Sequence, residues 1–440
     1  MRRPRRDMPP PPDLPSFTME GPAEPSPPAA DRHQGTGLVR HTVSLDEAKI
    51  DADAAKVVRR LERAGFQAYL VGGCVRDLLL GGKPKDFDIA TSARPDDVRG
   101  LFRNCRVIGR RFRLAHVLFG GGKVVEVATF RKSPQNELPE EDAEALDDLL
   151  IRSDNVFGDA HEDALRRDFT INALFYDIDR REVLDWCGGM KDIEGRTVDT
   201  IGEPEVRFRE DPVRILRAVK FAARLDLGIT PAVYDAMVFS RQELSRAARP
   251  RLFEEMSRLA RGQATHRAMW LFWEVGAMAV LLPELASYLD DDEAIGGGAE
   301  VFYRRMSAID RLTSRLGKPL DDLVIWSAVL AEPLGEATEG AKDVLVAAHE
   351  FLAPIVARVA MPRRISDGIG RIAAALPRLR QGKVARLAKS DIVLQALDVL
   401  EIEAIARGTK TDAVAAMRAE VMAAGGPVEK KRARRRPRGR

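Results

Sequence analysis

A chain of 440 residues, 45% hydrophobic and 31% charged, can bury a large core and has room for several domains. No apolar run reaches the roughly 18 residues of a membrane span, the arginine- and proline-rich start lacks the apolar stretch of a secretory signal, and the cytoplasm is the default location. Three cysteines without a CxxC pair (Cys74, Cys105, Cys187) exclude a disulfide framework or zinc knuckle and are expected as buried thiols, while the formal charge of +3 hides a tail, "KKRARRRPRGR" at 430–440, with cations only.

In chain order, residues 1–42 are rich in proline and arginine ("MPPPPDLPS", "EPSPPAAD") and read as a disordered arm. Residues 43–190 read as a head domain. Ser44 and Glu47 offer a capping box for a helix whose apolar positions Ala54, Val57, Val58 and Leu61 recur at helical spacing up to Gly65. Then come a strand in "FQAYLVGG", a short helix in "CVRDLLL", a strand in "FDIAT", a helix from Pro95, and strands in "CRVIGRRF", "AHVLF" and "KVVEVATF". An acidic, polar stretch over 131–156 reads as an insertion, after which "ALFYDI" and "EVLDW" resume strand alternation before the turn "CGGMKD".

From Pro204 the pattern becomes helical throughout. Residues 191–262 form a neck that includes "DPVRILRAVKFAARL", with Pro212 in its first turn and Asp211 suited to cap it. Helical spacing near 249–262, 266–285, 301–316, 320–332, 342–358 and 390–406 predicts an all-helical body over 263–426, with a basic disordered tail over 427–440. The fold class is α+β: a small mixed-sheet head followed by a helical neck and body.

The chemistry concentrates in "YLVGGCVRDLLLGGKPKDFDIAT", residues 69–91. A glycine pair between strand and helix, Gly72 and Gly73, lets backbone amides approach an anion, and Arg76 adds a cation suited to a triphosphate. Asp86 and Asp88, two apart on an extended segment, project to one face and can share divalent ions. Glu126, charged between apolar neighbours on a neighbouring strand, is the expected third carboxylate.

In this order and spacing the residues resemble the nucleotidyltransferase superfamily that includes class II tRNA CCA-adding enzymes and bacterial poly(A) polymerases, over about residues 65–260. The resemblance implies a polymerase β-like head. "RRDFTINAL" (166–174) resembles the family motif in which Arg167, Asp168 and Asn172 would hold ribose and phosphates. "DWCGGMKDIEGR" (185–196) resembles the flexible hinge, and "EDPVRILRAVKFAARL" (210–225) the neck helix whose Asp211 and Arg214 would face the base. "RPRLFEEMSRL" (249–259) resembles the next helix, where Arg251 and Glu254 would brace the neck. Arg217 and Arg224 share a side of the neck helix with Arg214, and Arg224 reads as solvated.

"NCRVIGRRFRLAHVLF" (104–119) is similar to an element of the poly(A) polymerase branch, and the helical half, with only His266 and His349, lacks an HD dyad. The resemblance thus implies template-independent addition of AMP from ATP to RNA 3′ ends, with two Mg²⁺ ions held by Asp86, Asp88 and Glu126. The expected partners are ATP and a single-stranded RNA primer, with no membrane. A CCA-adding enzyme and a catalytically inactive RNA-binding scaffold are the alternatives.

Overall fold

The computed structural model describes residues 37–109, 113–132, 156–261, 263–290 and 298–426. Most of the arm, residues 110–112 of the branch element, nearly all of the 131–156 stretch and the basic tail lie outside them.

Eight strands make the sheet: β1 (Val39–Thr42), β2 (Ala68–Val71), β3 (Asp88–Thr91), β4 (Cys105–Ile108), β5 (Leu114–Leu118), β6 (Val124–Thr129), β7 (Phe175–Asp177) and β8 (Glu182–Asp185). Their order is β1-β8-β7-β2-β3-β6-β5-β4. Neighbours run antiparallel except β3 and β6, which are parallel and therefore need a crossover, made by the helix Pro95–Leu101 and the β4–β5 pair. This is the expected mixed-sheet head.

Strand alternation decides what each face carries. Ala115, Val117, Val125 and Val127 are buried in the core that also holds α1 (Ala52–Arg63) and Val98 of the crossover helix. Their alternate neighbours His116 and Glu126 therefore go to the opposite face. A second apolar cluster, built on Val71, Ala90, Phe130, Phe175 and Trp186, covers another part of the sheet.

Three expectations in the head need correction. Val39–Thr42, placed in the arm, form the edge strand β1 against β8. The cap of α1 is Asp51, whose side chain accepts from the Asp53 and Ala54 amides, because a 3₁₀ turn capped by Asp46 intervenes after Ser44. Of the three thiols only Cys74 is fully buried; Cys105 and Cys187 are half-buried.

A mainly helical neck and body follow, as expected, except that Thr197–Val198 and Gly228–Ile229 pair as a short parallel sheet inside the neck, which was expected to be all-helical. The neck contains α6 (Pro204–Glu210), α7 (Val213–Arg224), α8 (Pro231–Ser240) and α9 (Arg249–Ala260), numbered after α2 (Gly73–Leu79), α3 (Pro95–Leu101), α4 (Ala160–Leu165) and α5 (Gly189–Glu194). Asp211 does not cap α7; it ends α6, and Pro212 takes the cap position. The single helix expected over 266–285 is divided at Gly276 into Thr265–Glu274 and Ala277–Leu281, followed by Pro283–Asp290. Among the described residues, the body helices Ala331–Thr338, Arg363–Arg380 and Asp412–Ala423 escaped the sequence reading. The body is locked to the neck where Trp326 stacks on Phe253 at 5.4 Å and its indole N–H donates to Ser257 Oγ at 3.0 Å. Such a pair adds about 1 kcal/mol beyond its buried area.

Candidate active site

The chain leaves β2 and turns at Gly72, whose φ of +70° and ψ of −127° no side chain adopts easily, before α2 begins at Gly73. A Cβ at Gly72 would also meet the Arg167 guanidinium at 2.9 Å. The Gly72 amide donates to the Leu174 carbonyl at 3.3 Å, so the turn is tied to β7's approach.

Arg76, expected as a cation suited to a triphosphate, is engaged within the protein. It is buried, donates to Asp77 Oδ1 at 2.6 and 2.9 Å and to Asn172 Oδ1 at 2.6 Å, and lies 4.9 Å over the Phe221 ring. Its charge is spent on joining α2 to the 170–172 turn.

The three carboxylates share one strip of the sheet. Asp88 opens β3 and is the register partner of Glu126 on β6; Asp86 lies two residues earlier, and all three are exposed. His116 on β5 faces Glu126 across the next pairing, with Nε2 3.5 Å from Oε1. Although its surface is open, Asp88 is ringed by enough protein that desolvation, and then the Glu126 charge, push its pKa up to about 6. Among the described residues no three His, Cys, Asp or Glu side chains, these carboxylates included, are close enough together to hold a metal ion by themselves. An all-oxygen set of open carboxylates fits Mg²⁺, which keeps several waters and takes one or two carboxylates together with substrate phosphates.

Beside this strip lies a polar chain reaching from the head to the neck. Arg167 pairs with Asp163 at 2.9 Å, donates to the Asn172 carbonyl at 3.1 Å and lies 5.0 Å over Phe175. Asp168 accepts from the Asn172 amide at 2.9 Å and from Arg217 at 2.6 Å. Burial alone would raise the Asp168 pKa, but the Arg217 charge and these hydrogen bonds hold it well below the usual carboxylate range. Arg217 in turn lies 3.7 Å from Glu255, which takes Lys220 at 2.8 Å. Sequence reasoning named Arg217 on the basic side of the helix without giving it a role, and passed over Glu255. The only available signal was that Arg217 sits one turn after Arg214, on the side of α7 that turns toward the head.

Asp211 and Arg214 do not face each other. The Arg214 side chain is buried, giving NH1 to Glu210 Oε2 and to the Arg207 carbonyl, both at 2.9 Å. Asp211 is gripped instead by both guanidinium nitrogens of Arg251, at 2.8 and 3.2 Å, so Arg251 does brace the neck. Glu254 pairs with Arg258 on its own helix, and the acidic brace is its neighbour Glu255. Arg224 is half-exposed and 3.8 Å from Asp77. The expected hinge is a pinned turn: the Asp185 carboxylate accepts from the Cys187, Gly189 and Met190 amides at 2.9, 3.1 and 2.9 Å.

Residues 68–199, which hold the glycine turn, the carboxylates and the 166–174 motif, match the family described as Poly A polymerase head domain. Residues 226–289 match the family described as Probable RNA and SrmB-binding site of polymerase A. Poly(A) polymerase I of Salmonella typhi is 36% identical over 430 residues, spanning 91% of this chain and 89% of that one. The chain belongs to the poly(A) polymerase family. Poly(A) polymerase I of Escherichia coli O157:H7 is 44% identical over 266 residues, 60% of this chain and 57% of its own. The CCA-adding enzyme of Streptococcus suis is 34% identical over 250 residues, 55% and 57% of the two chains. Among solved structures, the Bacillus stearothermophilus CCA-adding enzyme in complex with CTP superposes with a TM-score of 0.64 at 27% identity, covering 84% of this chain and 82% of that one.

Proposed function

We propose that this member of the poly(A) polymerase family is a template-independent polynucleotide adenylyltransferase, acting in the cytoplasm on ATP and single-stranded RNA 3′ ends. The observation that carries the reading is the register that sets Asp88 beside Glu126, next to the Gly72 turn. Likeness to poly(A) polymerase I across nine-tenths of the chain narrows nucleotidyl transfer to AMP addition.

Asp86, Asp88 and Glu126 are the residues that would hold two Mg²⁺ ions, which when bound supply Lewis-acid help to the attacking hydroxyl and the leaving pyrophosphate. The RNA 3′ oxygen bonds to the α-phosphorus of ATP as the bond to pyrophosphate breaks. No protein nucleophile is needed. Cys74, the thiol nearest the strip, is buried, and burial followed by the Asp88 charge pushes it up to about 12. Gly72 and Gly73 let the backbone approach the polyphosphate, with Arg76 holding the turn against Asn172. Arg167, Asp168 and Asn172 orient ribose and phosphates, and Asp211 and Arg214, set by Arg251 and Glu210, select the base. Groups held this rigidly exclude a base that would leave them unpaired.

The test is incubation of the pure protein with Mg²⁺, a short RNA and each nucleoside triphosphate alone. ATP is expected to be used far better than the others and to give long additions. Efficient CTP addition to a tRNA lacking its end, stopping at CCA, would move the chain to the CCA-adding reading while keeping the same carboxylates.

A further inference from the structure

We infer that Arg217 is a positioning residue for sugar selection: from the neck it holds Asp168, and through it Asn172, in the one polarity that recognises a ribonucleotide. The inference rests on the proposed role of Arg167, Asp168 and Asn172 as ribose and phosphate contacts.

Arg217 presents Nε and NH2 to a single oxygen, Asp168 Oδ2, each at 2.6 Å. The other oxygen, Oδ1, accepts from the Asn172 side-chain amide at 2.9 Å and from the Phe169 backbone at 3.0 Å. Asn172 then has only one useful orientation. Its NH₂ faces a carboxylate, and its oxygen faces the Arg76 guanidinium at 2.6 Å, so a flipped amide would turn donor to donor and acceptor to acceptor. The chain Asp77–Arg76–Asn172–Asp168–Arg217 therefore alternates donors and acceptors from α2 to α7, with Arg76 fixing its polarity from the head and Arg217 from the neck.

The anchor is itself anchored. Arg217 lies 5.3 Å over the Phe221 ring and 3.7 Å from Glu255 on α9, and its side chain remains 28% exposed. Asp168 stays ionised in a buried place because the Arg217 charge, first among the opposing interactions, acts with the Asn172 hydrogen bond and the Arg214 charge against the burial. Without Arg217 the two-pronged hold on Oδ2 and the largest interaction opposing burial are both gone, so the carboxylate is free to turn and Asn172 keeps only Arg76 to fix its amide. A site that tells a ribose from a deoxyribose by one hydroxyl depends on polar groups held in place, because the penalty for the wrong sugar is an unpaired group.

An ion pair that merely held head to neck would affect ATP and 2′-deoxyATP alike. The full chain is assayed with an RNA primer, Mg²⁺ and either ATP or 2′-deoxyATP, and kcat and KM are determined separately. In Arg217→Met, KM for ATP is expected to rise about tenfold or more with a smaller fall in kcat, and the ATP to 2′-deoxyATP ratio of kcat/KM to drop at least about tenfold. Arg217→Lys keeps the charge but not the two-pronged grip, so it is expected to fold and to lose the ratio only in part, by about threefold. An unchanged ratio in the Lys variant, or an equal loss for both nucleotides in the Met variant, overturns the inference. A wild-type protein that uses both nucleotides equally overturns the ribose reading beneath it, a result that the variants alone could not give.

Discussion

Asp88 and Glu126 stand opposite each other on adjacent parallel strands, so two carboxylates share one strip of surface. Desolvation and that neighbouring charge raise Asp88 from its ordinary 3.8 to about 6. An acid raised on folding binds more protons in the folded than in the unfolded state; its contribution is complete below pH 3.8 and is lost as the pH rises through about 6. Asp88→Asn is therefore expected to melt higher than the wild type at pH 7.5 in EDTA, with the difference gone near pH 4. The same variant is expected to lose at least about 10²-fold in nucleotide addition. Melting scans at the two pH values check this, and a lower Tm for the variant at pH 7.5 contradicts it.

Arg251 and Arg214 separate base selection from stability. Arg251 is 55% exposed, so Arg251→Ala is expected to cost about 1 kcal/mol or less while releasing Asp211 and lowering the ATP to CTP preference about tenfold. Arg214→Ala is expected to blur the same preference and also to cost about 3 kcal/mol, because it removes a buried partner of Glu210. Urea melts beside single-nucleotide assays distinguish the two, and equal stability losses would refute the assignment.

Gly368 gives a purely structural test. A Cβ there would lie 2.6 Å from Leu323 Cδ1 and 2.8 Å from Cδ2, at the contact between the helices Arg363–Arg380 and Asp322–Val329. Gly368→Ala is expected to destabilise the protein by about 1–3 kcal/mol despite alanine's better helix propensity. A Tm equal to or above that of the wild type would show that Leu323 moves aside freely.

Deleting residues 430–440 is expected to weaken RNA binding and to flatten its salt dependence, by about 0.7 in the log–log slope for each single-strand phosphate released. Titrations at several salt concentrations measure it. A slope identical to the full chain's would show that the tail does not meet the backbone.

Much of the head was legible because its signals are local. A glycine pair, a DxD and an alternating strand announce themselves within a few residues, and the strands follow the alternation in "AHVLF" and "KVVEVATF". What the sequence hid was set by partners far away. The helix Arg363–Arg380 contains Gly368, Gly370 and Pro377, which read as breakers, yet Gly368 is there to admit Leu323 and the proline is tolerated inside the helix. Arg76 looked like a ligand for phosphate because nothing local reveals Asn172, 96 residues on. Spacing on α7 grouped Arg214 with Arg217, but one pairs back along its own chain with Glu210 and the other crosses to Asp168. Glu254 and Glu255 differ by one position, and only the packing of α9 on α7 says which of them meets Lys220.

The edge strand β1 has a consequence for how the chain is made. Arg40 meets its partner Glu182 across 142 residues, so the first strand to leave the ribosome waits for nearly the whole head before it can pair. At ordinary synthesis rates of about 5–20 residues per second that wait is on the order of ten seconds, during which its backbone is an open template for another chain. Its four residues, VRHT, put an arginine and a histidine where a longer apolar strand would invite association.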